Sequence, residues 1–197
     1  MKLAMKSVAV TLLLGFLAMS GAARAADVFA IDPAHSNIVF LVNHLGYSRM
    51  IGQFQEFQGS FVFDDTDVSQ SSVEVAIRTA SVDTDHEARD EDLRSPDFFN
   101  SVEFPEMVFK STRVEKTGAR TGRIIGDLTL LGTTRPVILD VTFNKLAPHP
   151  LPQYHGVLVA GFSARATLKR SDFGMKTFLP AISDEIEIWL EVEGHKT

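Results

Sequence analysis

The chain of 197 residues contains no cysteine, and it has only one tryptophan and two tyrosines. Without cysteine it can form no disulfide, offer no thiolate to a metal, and carry no lipid through a thiol. A cysteine nucleophile is excluded for the same reason. Stability must therefore come from an apolar core, and the chain is long enough to bury one in a single domain.

Basic residues are also scarce, since 19 Lys and Arg stand against 25 Asp and Glu, for a net charge of −6. Binding to nucleic acid depends on clustered Lys and Arg that contact phosphates. An acidic chain is likewise repelled by anionic lipid surfaces. We therefore expect neither nucleic acid nor a charged membrane surface as a partner.

Long apolar runs are confined to the start of the chain, where Ser7–Ser20 is almost unbroken. Lys2 and Lys6 precede this run, and Ala23-Arg24-Ala25 follows it as an A-x-A cleavage site. The pattern predicts that residues 1–25 are a signal peptide, cleaved after Ala25, and that residues 26–197 form the exported domain. An uncleaved anchor is the alternative, but the run falls short of the ~20 residues that span a bilayer. We expect a soluble product without stable membrane insertion.

Alternation of apolar and polar residues dominates the rest of the chain and predicts β-strands. Short turns separate most of them, which favours antiparallel pairing. Long strands with one dry face suit a barrel or a sandwich, and an eight-stranded barrel can enclose one elongated ligand. The fold class is therefore all-β, with about eight barrel strands drawn from nine extended segments, at 28–31, 36–43, 54–63, 73–78, 106–115, 123–131, 136–143, 157–169 and 185–193.

Two details bear on the interior of such a barrel. Phe54 is out of phase with the alternation that follows it, which indicates a bulge near Gln55-Glu56. The inward row of the 157–169 strand contains Ala160, Ala164 and Ala166. Small side chains there leave space for a ligand, unless phenylalanines from facing strands fill it, and the sequence leaves both alternatives open.

The stretch Ser81–Asn100 interrupts the alternation with seven acids, a histidine and two arginines. Residues 85–93 favour a short helix, with Asp83 or Thr84 as N-cap. Ser95-Pro96 is typical of the start of a further helical turn. We expect a short helical excursion around residues 84–100, docked on the barrel by Phe98 and Phe99.

The acids of this stretch do not form a calcium loop. Asp83, Asp85 and Glu87 occupy alternate positions, as such a loop requires. Its sixth and twelfth positions require Gly and Glu, and here they are Ala88 and Arg94.

Other chemical motifs are equally incomplete. His86 has no second histidine four residues on, so no zinc-protease helix is formed. His149 and His155 lie in a proline-rich loop, where solvated histidines are the more common outcome. Ser163 lacks the second glycine of a nucleophile elbow. We therefore predict no metal, no cofactor and no catalytic residue.

Three polar side chains are harder to explain as surface decoration. His44 follows a strand that is apolar on both faces, so it is either a buried structural residue or a ligand contact. Arg89 and Arg94 lie among acids and either form local ion pairs or meet an anionic or carbonyl head group at the barrel mouth.

Taken together, these segments resemble the YceI-like family, also described as polyisoprenoid-binding. The resemblance spans the exported chain and is most specific from Ser81 to Phe99. The matching segments are DPAHS (32–36), NHLGYS (43–48), GQF (52–54), SVDT (81–84), EARD (87–90), LRSPDFF (93–99), FP (104–105), GDLTL (126–130), GTTRP (132–136) and SDFGM (171–175).

The resemblance implies a single eight-stranded antiparallel lipocalin-like barrel that binds an isoprenoid lipid, either a polyprenyl chain or an isoprenoid quinone, in its lumen. It also implies a periplasmic protein of a family whose members often form homodimers, with no established reaction. His44, Arg89, Arg94 and Asp172 are matched positions that we expect at the lumen or its mouth.

The predicted ligand contacts combine the inward apolar rows with these four polar positions. They are Phe40, Val42, His44, Phe54, Phe61, Val75, Ile77, Arg89, Arg94, Phe109, Phe162, Ala164, Asp172 and Ile188.

We expect a carrier or binding protein for the lipid. One alternative is a lipid-modifying enzyme that uses His44 and Asp172 as acid and base. The other is a ligand-free, stress-related protein whose lumen is filled by phenylalanines, namely Phe40, Phe61, Phe109 and Phe162.

Overall fold

The computed structural model describes residues 26–197, so the predicted signal peptide and its cleavage site lie outside the described residues. Within this range the chain forms eleven strands and one α-helix. They are β1 (Asp27–Ile31), β2 (Asn37–His44), β3 (Ser48–Phe54), β4 (Phe57–Phe63), β5 (Ser72–Arg78), β6 (Val82–Asp83), α1 (Glu87–Arg94), β7 (Glu106–Lys116), β8 (Thr121–Leu130), β9 (Thr133–Pro148), β10 (Leu158–Lys169) and β11 (Ile182–Lys196).

Eight of the strands close into an antiparallel barrel, as predicted. Their order around the ring is β1-β4-β5-β7-β8-β9-β10-β11, and β1 closes it by pairing with β11. The remaining strands extend one end of the same sheet, because β2 pairs with β11, β3 with β2, and β6 with β3. Three ring strands thus continue past short interruptions, β1 into β2, β4 back into β3, and β5 into β6.

The bulge predicted near Gln55-Glu56 is instead a break between two strands, since β3 ends at Phe54 and β4 begins at Phe57. Phe54 and Phe57, three residues apart, are both buried, since the break resets which residues point inward. Backbone hydrogen bonds from Gln55 N–H to the Ser81 carbonyl and from Arg78 N–H to the Glu56 carbonyl close the gap.

Of strand β3, only its last residue, Phe54, was predicted to be in a strand. Its sequence lacks clean alternation, because Met50 and Ile51 are adjacent and Ile51 is exposed. In its pairing with β2, Gly52 of β3 lies opposite Phe40. A Cβ at position 52 would lie 2.2 Å from the tip of the Phe40 ring, so glycine makes room for that ring.

The charged stretch forms the predicted excursion, with one correction. His86, rather than Asp83 or Thr84, is the N-cap of α1, and its side chain accepts the Arg89 N–H at 3.3 Å. Ser95 is the C-cap of α1 and opens the predicted further turn, in which the Phe98 N–H donates to the Ser95 carbonyl at 3.1 Å.

The apolar end of the excursion docks on the barrel as predicted. Phe99 is buried, and its ring meets Phe54 edge-on with centroids 5.3 Å apart. Phe98 packs against the same core, which continues through the inward faces of the barrel strands.

Candidate binding cavity

The barrel encloses a cavity of about 430 Å³. This volume lies within the ~300–1,000 Å³ range of small-molecule sites. The inward rows of the strands line it almost entirely with apolar side chains, because every second residue of a strand faces the same side. The cavity excludes a barrel fully packed by phenylalanine, since Phe40, Phe61, Phe109 and Phe162 all border it without filling it.

The alanines of β10 account for part of this space. Ala164 is paired with Val141 on β9 and with Leu190 on β11, and all three side chains border the cavity. Ala166 follows on the same row, whereas Ala160 is fully buried and does not border the cavity. Small side chains in mid-strand therefore leave the lumen open at this level.

Large aromatic side chains narrow one end of the lumen. Phe162 contacts Phe61, Phe63 and Phe143, with ring centroids 5.1 to 5.6 Å apart. Such tilted and edge-on arrangements are favourable for aromatic pairs. These four rings form an aromatic collar, which lies between Ala164 and the end of the barrel that carries the β7–β8 hairpin.

Polar groups border the cavity beyond this collar. They come from the β7–β8 hairpin and from the loop between β4 and β5, and they include Asp65, Glu115, Lys116, Arg120 and Arg123. Lys116, Arg120 and Arg123 are exposed, which makes this end the mouth of the lumen.

The guanidinium of Arg120 ties the mouth to β9. Its Nε donates to the Phe143 carbonyl at 3.0 Å, and its Nη2 donates to the Asn144 carbonyl. Its charge also lies 5.5 Å from the centroid of the Phe143 ring, within the range of a cation–π contact.

The opposite end is covered by the excursion and by the chain between β10 and β11. Leu93, Phe98, Phe99 and Met175 border the cavity there. Phe99 and Met175 are buried, so this end is an apolar floor.

Ten of the fourteen predicted contacts border the cavity. They are Phe40, Val42, Phe54, Phe61, Val75, Ile77, Phe109, Phe162, Ala164 and Ile188. The other four, His44, Arg89, Arg94 and Asp172, are not among the lining residues. Their role as ligand contacts stays a prediction.

His44 and Asp172 lie outside the lumen. His44 is partly buried at the end of β2, where its backbone pairs with Ser48 and Ile182. Asp172 is exposed in the short helical turn Arg170–Phe173. Neither side chain borders the cavity that would hold a substrate.

Arg89 holds the excursion in place. Its Nε donates to the Thr84 hydroxyl oxygen and its Nη2 to the Thr84 carbonyl, both at 2.7 Å. The Thr84 N–H and hydroxyl in turn donate to the buried Asp90 carboxylate, at 2.9 and 2.5 Å.

Arg94 has a similar structural position. Its Nε donates to the Ala80 carbonyl at 3.1 Å, and its Nη1 pairs with Glu87 at 3.2 Å. Local ion pairing, one of the two alternatives, is therefore what the structure shows for Arg94, whereas Arg89 is held by its hydrogen bonds to Thr84.

Arg170, which the sequence reasoning missed, is a charged residue that does border the cavity. It is only 3% exposed. Its guanidinium donates to three backbone carbonyls, those of Met175, Ile182 and Ser183, at 3.2, 3.0 and 2.9 Å. The signal was present in the sequence, because alternation along β10 puts Arg170 on the same side as Leu168.

The electrostatics of Arg170 reflect its position. Burial lowers the pKa of its guanidinium, and the nearby Asp184 carboxylate acts in the opposite direction. Asp184 accepts the Ser171 N–H at 2.9 Å and its hydroxyl at 2.8 Å. Arg170 and Asp184 together fix the segment that covers the floor of the lumen.

No helix within residues 26–197 is long and apolar enough to cross a membrane.

Comparison with known proteins gives concordant matches. A family model described as YceI-like domain matches residues 29–194. The UPF0312 protein of Ectopseudomonas mendocina (strain ymp) is 40% identical over 192 residues, which cover 96% of this chain and 98% of that protein.

Two solved structures share the fold. The YCEI protein of Campylobacter jejuni is 30% identical, with a TM-score of 0.71 over 79% of this chain and 90% of that chain. A polyisoprenoid binding domain from Saccharophagus degradans has a TM-score of 0.63 over 88% of this chain and 100% of that chain. At 12% identity this second likeness shows the fold alone.

Proposed function

This chain belongs to the YceI-like domain family, and we propose that it binds a long apolar isoprenoid lipid in the lumen of its barrel. The observation that carries the proposal is the apolar cavity of about 430 Å³ with an open polar mouth. The fold shared with a polyisoprenoid binding domain supports the class of ligand.

The physical basis is burial of a chain that water solvates poorly. Each methylene removed from water contributes about 0.8 kcal/mol, so a chain of many carbons needs few polar contacts to be held. A lumen lined by Phe, Val, Ile, Leu and Ala supplies such an environment. The polar rim then suits a head group that remains at the mouth.

Within this proposal the protein is a carrier or store rather than an enzyme. The lining residues are almost all apolar, and His44 and Asp172, the acid and base of the enzyme alternative, lie outside the lumen. The ligand is a polyprenyl lipid or an isoprenoid quinone, and the head group distinguishes the two. Export to the periplasm through the 1–25 signal and pairing into a homodimer belong to the same proposal.

Extraction of the purified native protein with organic solvent, followed by mass spectrometry, tests the ligand class. We expect an isoprenoid lipid in near-stoichiometric amount. Recovery of no lipid, together with no uptake of an added polyprenyl alcohol or quinone, would overturn the proposal.

Two further measurements address location and assembly. Cell fractionation with the intact mass of the purified protein should place it in the periplasm, starting at Ala26. Light scattering after size exclusion should give twice the mass of one chain. A cytoplasmic, uncleaved product would contradict export through the signal peptide. A monomer would contradict the homodimer.

A further inference from the structure

A cluster of metal-ligating side chains lies on the outer side of the barrel, away from the lumen. Asp32 follows β1, whereas Glu193 and His195 are alternate residues of β11 that share the face opposite the inward Val192. One potential ligand atom from each of the three lies within 4.8 Å of the others. All three are partly buried, with side chains 19 to 32% exposed.

Two of the three separations between ligand atoms lie close to those of a tetrahedral ion. Ligand bonds of about 2.0–2.2 Å to zinc place ligand atoms about 3.3–3.6 Å apart. His195 Nε2 lies 3.1 Å from Glu193 Oε1 and 3.7 Å from Asp32 Oδ2, on either side of that range. Two carboxylates and one neutral imidazole also carry the charge that balances a divalent cation.

The backbone holds these ligands in place before any ion arrives. The Asp32 N–H donates to the Glu193 carbonyl at 2.9 Å. The Ser36 hydroxyl donates to the same carbonyl and accepts the Glu193 N–H at 3.0 Å. The turn after β1 is thereby fixed to β11, and with it the spacing of the carboxylates.

Groups outside the three ligands orient Asp32 further. The Ala34 N–H donates to its Oδ1 at 3.0 Å, and His35 Nδ1 lies 2.6 Å from its Oδ2. A carboxylate can bind a metal through one lone pair and accept a hydrogen bond through another, which fixes its orientation.

A second histidine approaches from the loop between β9 and β10. The rings of His149 and His195 have centroids 6.0 Å apart. The His149 Nδ1 accepts the Leu151 N–H at 3.2 Å, and the ring stacks on Tyr154, which leaves its Nε2 as the available nitrogen. His149 is thus a further histidine beside the three, with its Nε2 not used by Leu151.

We propose that Asp32, Glu193 and His195 form a binding site for a divalent transition metal such as Zn²⁺, with His149 or water as the fourth ligand. The site is independent of the lumen, and this proposal departs from the expectation, drawn from sequence spacing, that no metal is bound. Asp32 lies 161 positions before Glu193 in the chain, and closure of β1 on β11 brings it to Glu193 and His195.

Titration of the tag-free, chelator-treated protein with ZnCl₂ by calorimetry tests the site, with Co²⁺ absorption to report ligand geometry. We expect one-to-one saturable binding and a tetrahedral Co²⁺ spectrum. His195→Gln and Glu193→Gln should each weaken binding at least tenfold. His155→Asn, a change of an exposed histidine at a left-handed position that asparagine tolerates, should leave it unchanged.

Circular dichroism confirms that each variant is folded, and two independent variants guard against misfolding of one. The absence of saturable Zn²⁺ binding below 1 mM to the folded protein would overturn the proposal. Unchanged binding by a folded His195→Gln variant would do the same.

Discussion

At the scale of single residues, Ala164 controls how much of the lumen is open. A tryptophan there would occupy the space between Val141 and Leu190 where the cavity lies. We predict that Ala164→Trp lowers lipid uptake at least tenfold. The free energy of unfolding should fall by no more than about 3 kcal/mol, because the added volume enters existing space.

Thr167→Trp is the matched control for this change. Position 167 is on the same strand but exposed on the outer face, so uptake should stay at the level of the unchanged protein. Binding of a fluorescent polyprenyl probe measures both variants. Full uptake by Ala164→Trp would show that the ligand does not occupy the alanine level.

Arg170 acts through the carbonyls it satisfies. Arg170→Met would leave the carbonyls of Met175, Ile182 and Ser183 without their donor in a buried setting. An unsatisfied buried polar group costs about 1–3 kcal/mol, so we predict a loss of about 3 kcal/mol or more, measured by urea denaturation.

Arg165→Met provides the comparison for Arg170. Arg165 pairs with Glu191 and stacks on Trp189 at the exposed surface, and exposed pairs contribute about 1 kcal/mol or less. Equal losses for the two variants would mean that the Arg170 contacts do not stabilise the floor.

At the scale of elements, the excursion depends on one buried acid. Asp90 is 4% exposed and accepts both hydrogen bonds from Thr84, to which Arg89 also donates. We predict that Asp90→Ala loosens residues 84–99 and costs about 1–3 kcal/mol, since the Thr84 donors lose their acceptor.

Hydrogen exchange followed by mass spectrometry checks this prediction. Protection should fall over α1 and the Phe98-Phe99 segment, while the strands around β10 keep theirs. Asp92→Ala, at an exposed position of the same helix, should exchange like the unchanged protein. Unaltered protection in Asp90→Ala would contradict the anchoring role.

The segment from Arg170 to Asp184 should respond to acid. Burial opposes ionisation of Asp184, but the two Ser171 donors, with Lys169 and Arg170, outweigh it and hold its pKa below the ordinary value of 3.8. A carboxylate with a lowered folded-state pKa stabilises the fold above its unfolded pKa and loses that contribution as pH falls through the folded value.

We therefore predict that Asp184→Asn is less stable than the unchanged protein at pH 7, and that the gap closes below about pH 3.8. Urea midpoints measured along a pH series report the difference. The exposed Asp172→Asn serves as control. A gap that stays constant from pH 7 to pH 3 would show that the charge of Asp184 is not what stabilises the segment.

At the scale of the whole molecule, periodicity predicted antiparallel strands and most of their inward faces, whereas the choice of a barrel over a sandwich came from the family resemblance. Phe61, Val75, Phe109 and Ile188 belong to clean alternating rows, so their place in the lumen followed from sequence. Strand β3 was not predicted because its alternation of apolar and polar residues is broken.

What could not be read from sequence depends on contacts between distant segments. Arg89 and Arg94 carry charges that suit a ligand head group. In the fold, however, their guanidinium groups donate hydrogen bonds to the backbone carbonyls of Thr84 and Ala80. Asp32 and His195 meet only when the ring closes. Arg170 was missed for a different reason. The alternation of β10 puts it on the inward side, but we did not expect a charged residue to border an apolar lumen.

The central claim is that the lumen, and not the outer surface, holds the lipid. Methyl NMR during titration with a polyprenyl alcohol tests it most directly, because inward and outward methyl groups are distinct probes. We predict shifts for Ala164, Ala166 and Ile188, which border the cavity, and none for the exposed Ile51 and Ile138. Shifts confined to Ile51 and Ile138, with the inward methyl groups unchanged, would contradict the account.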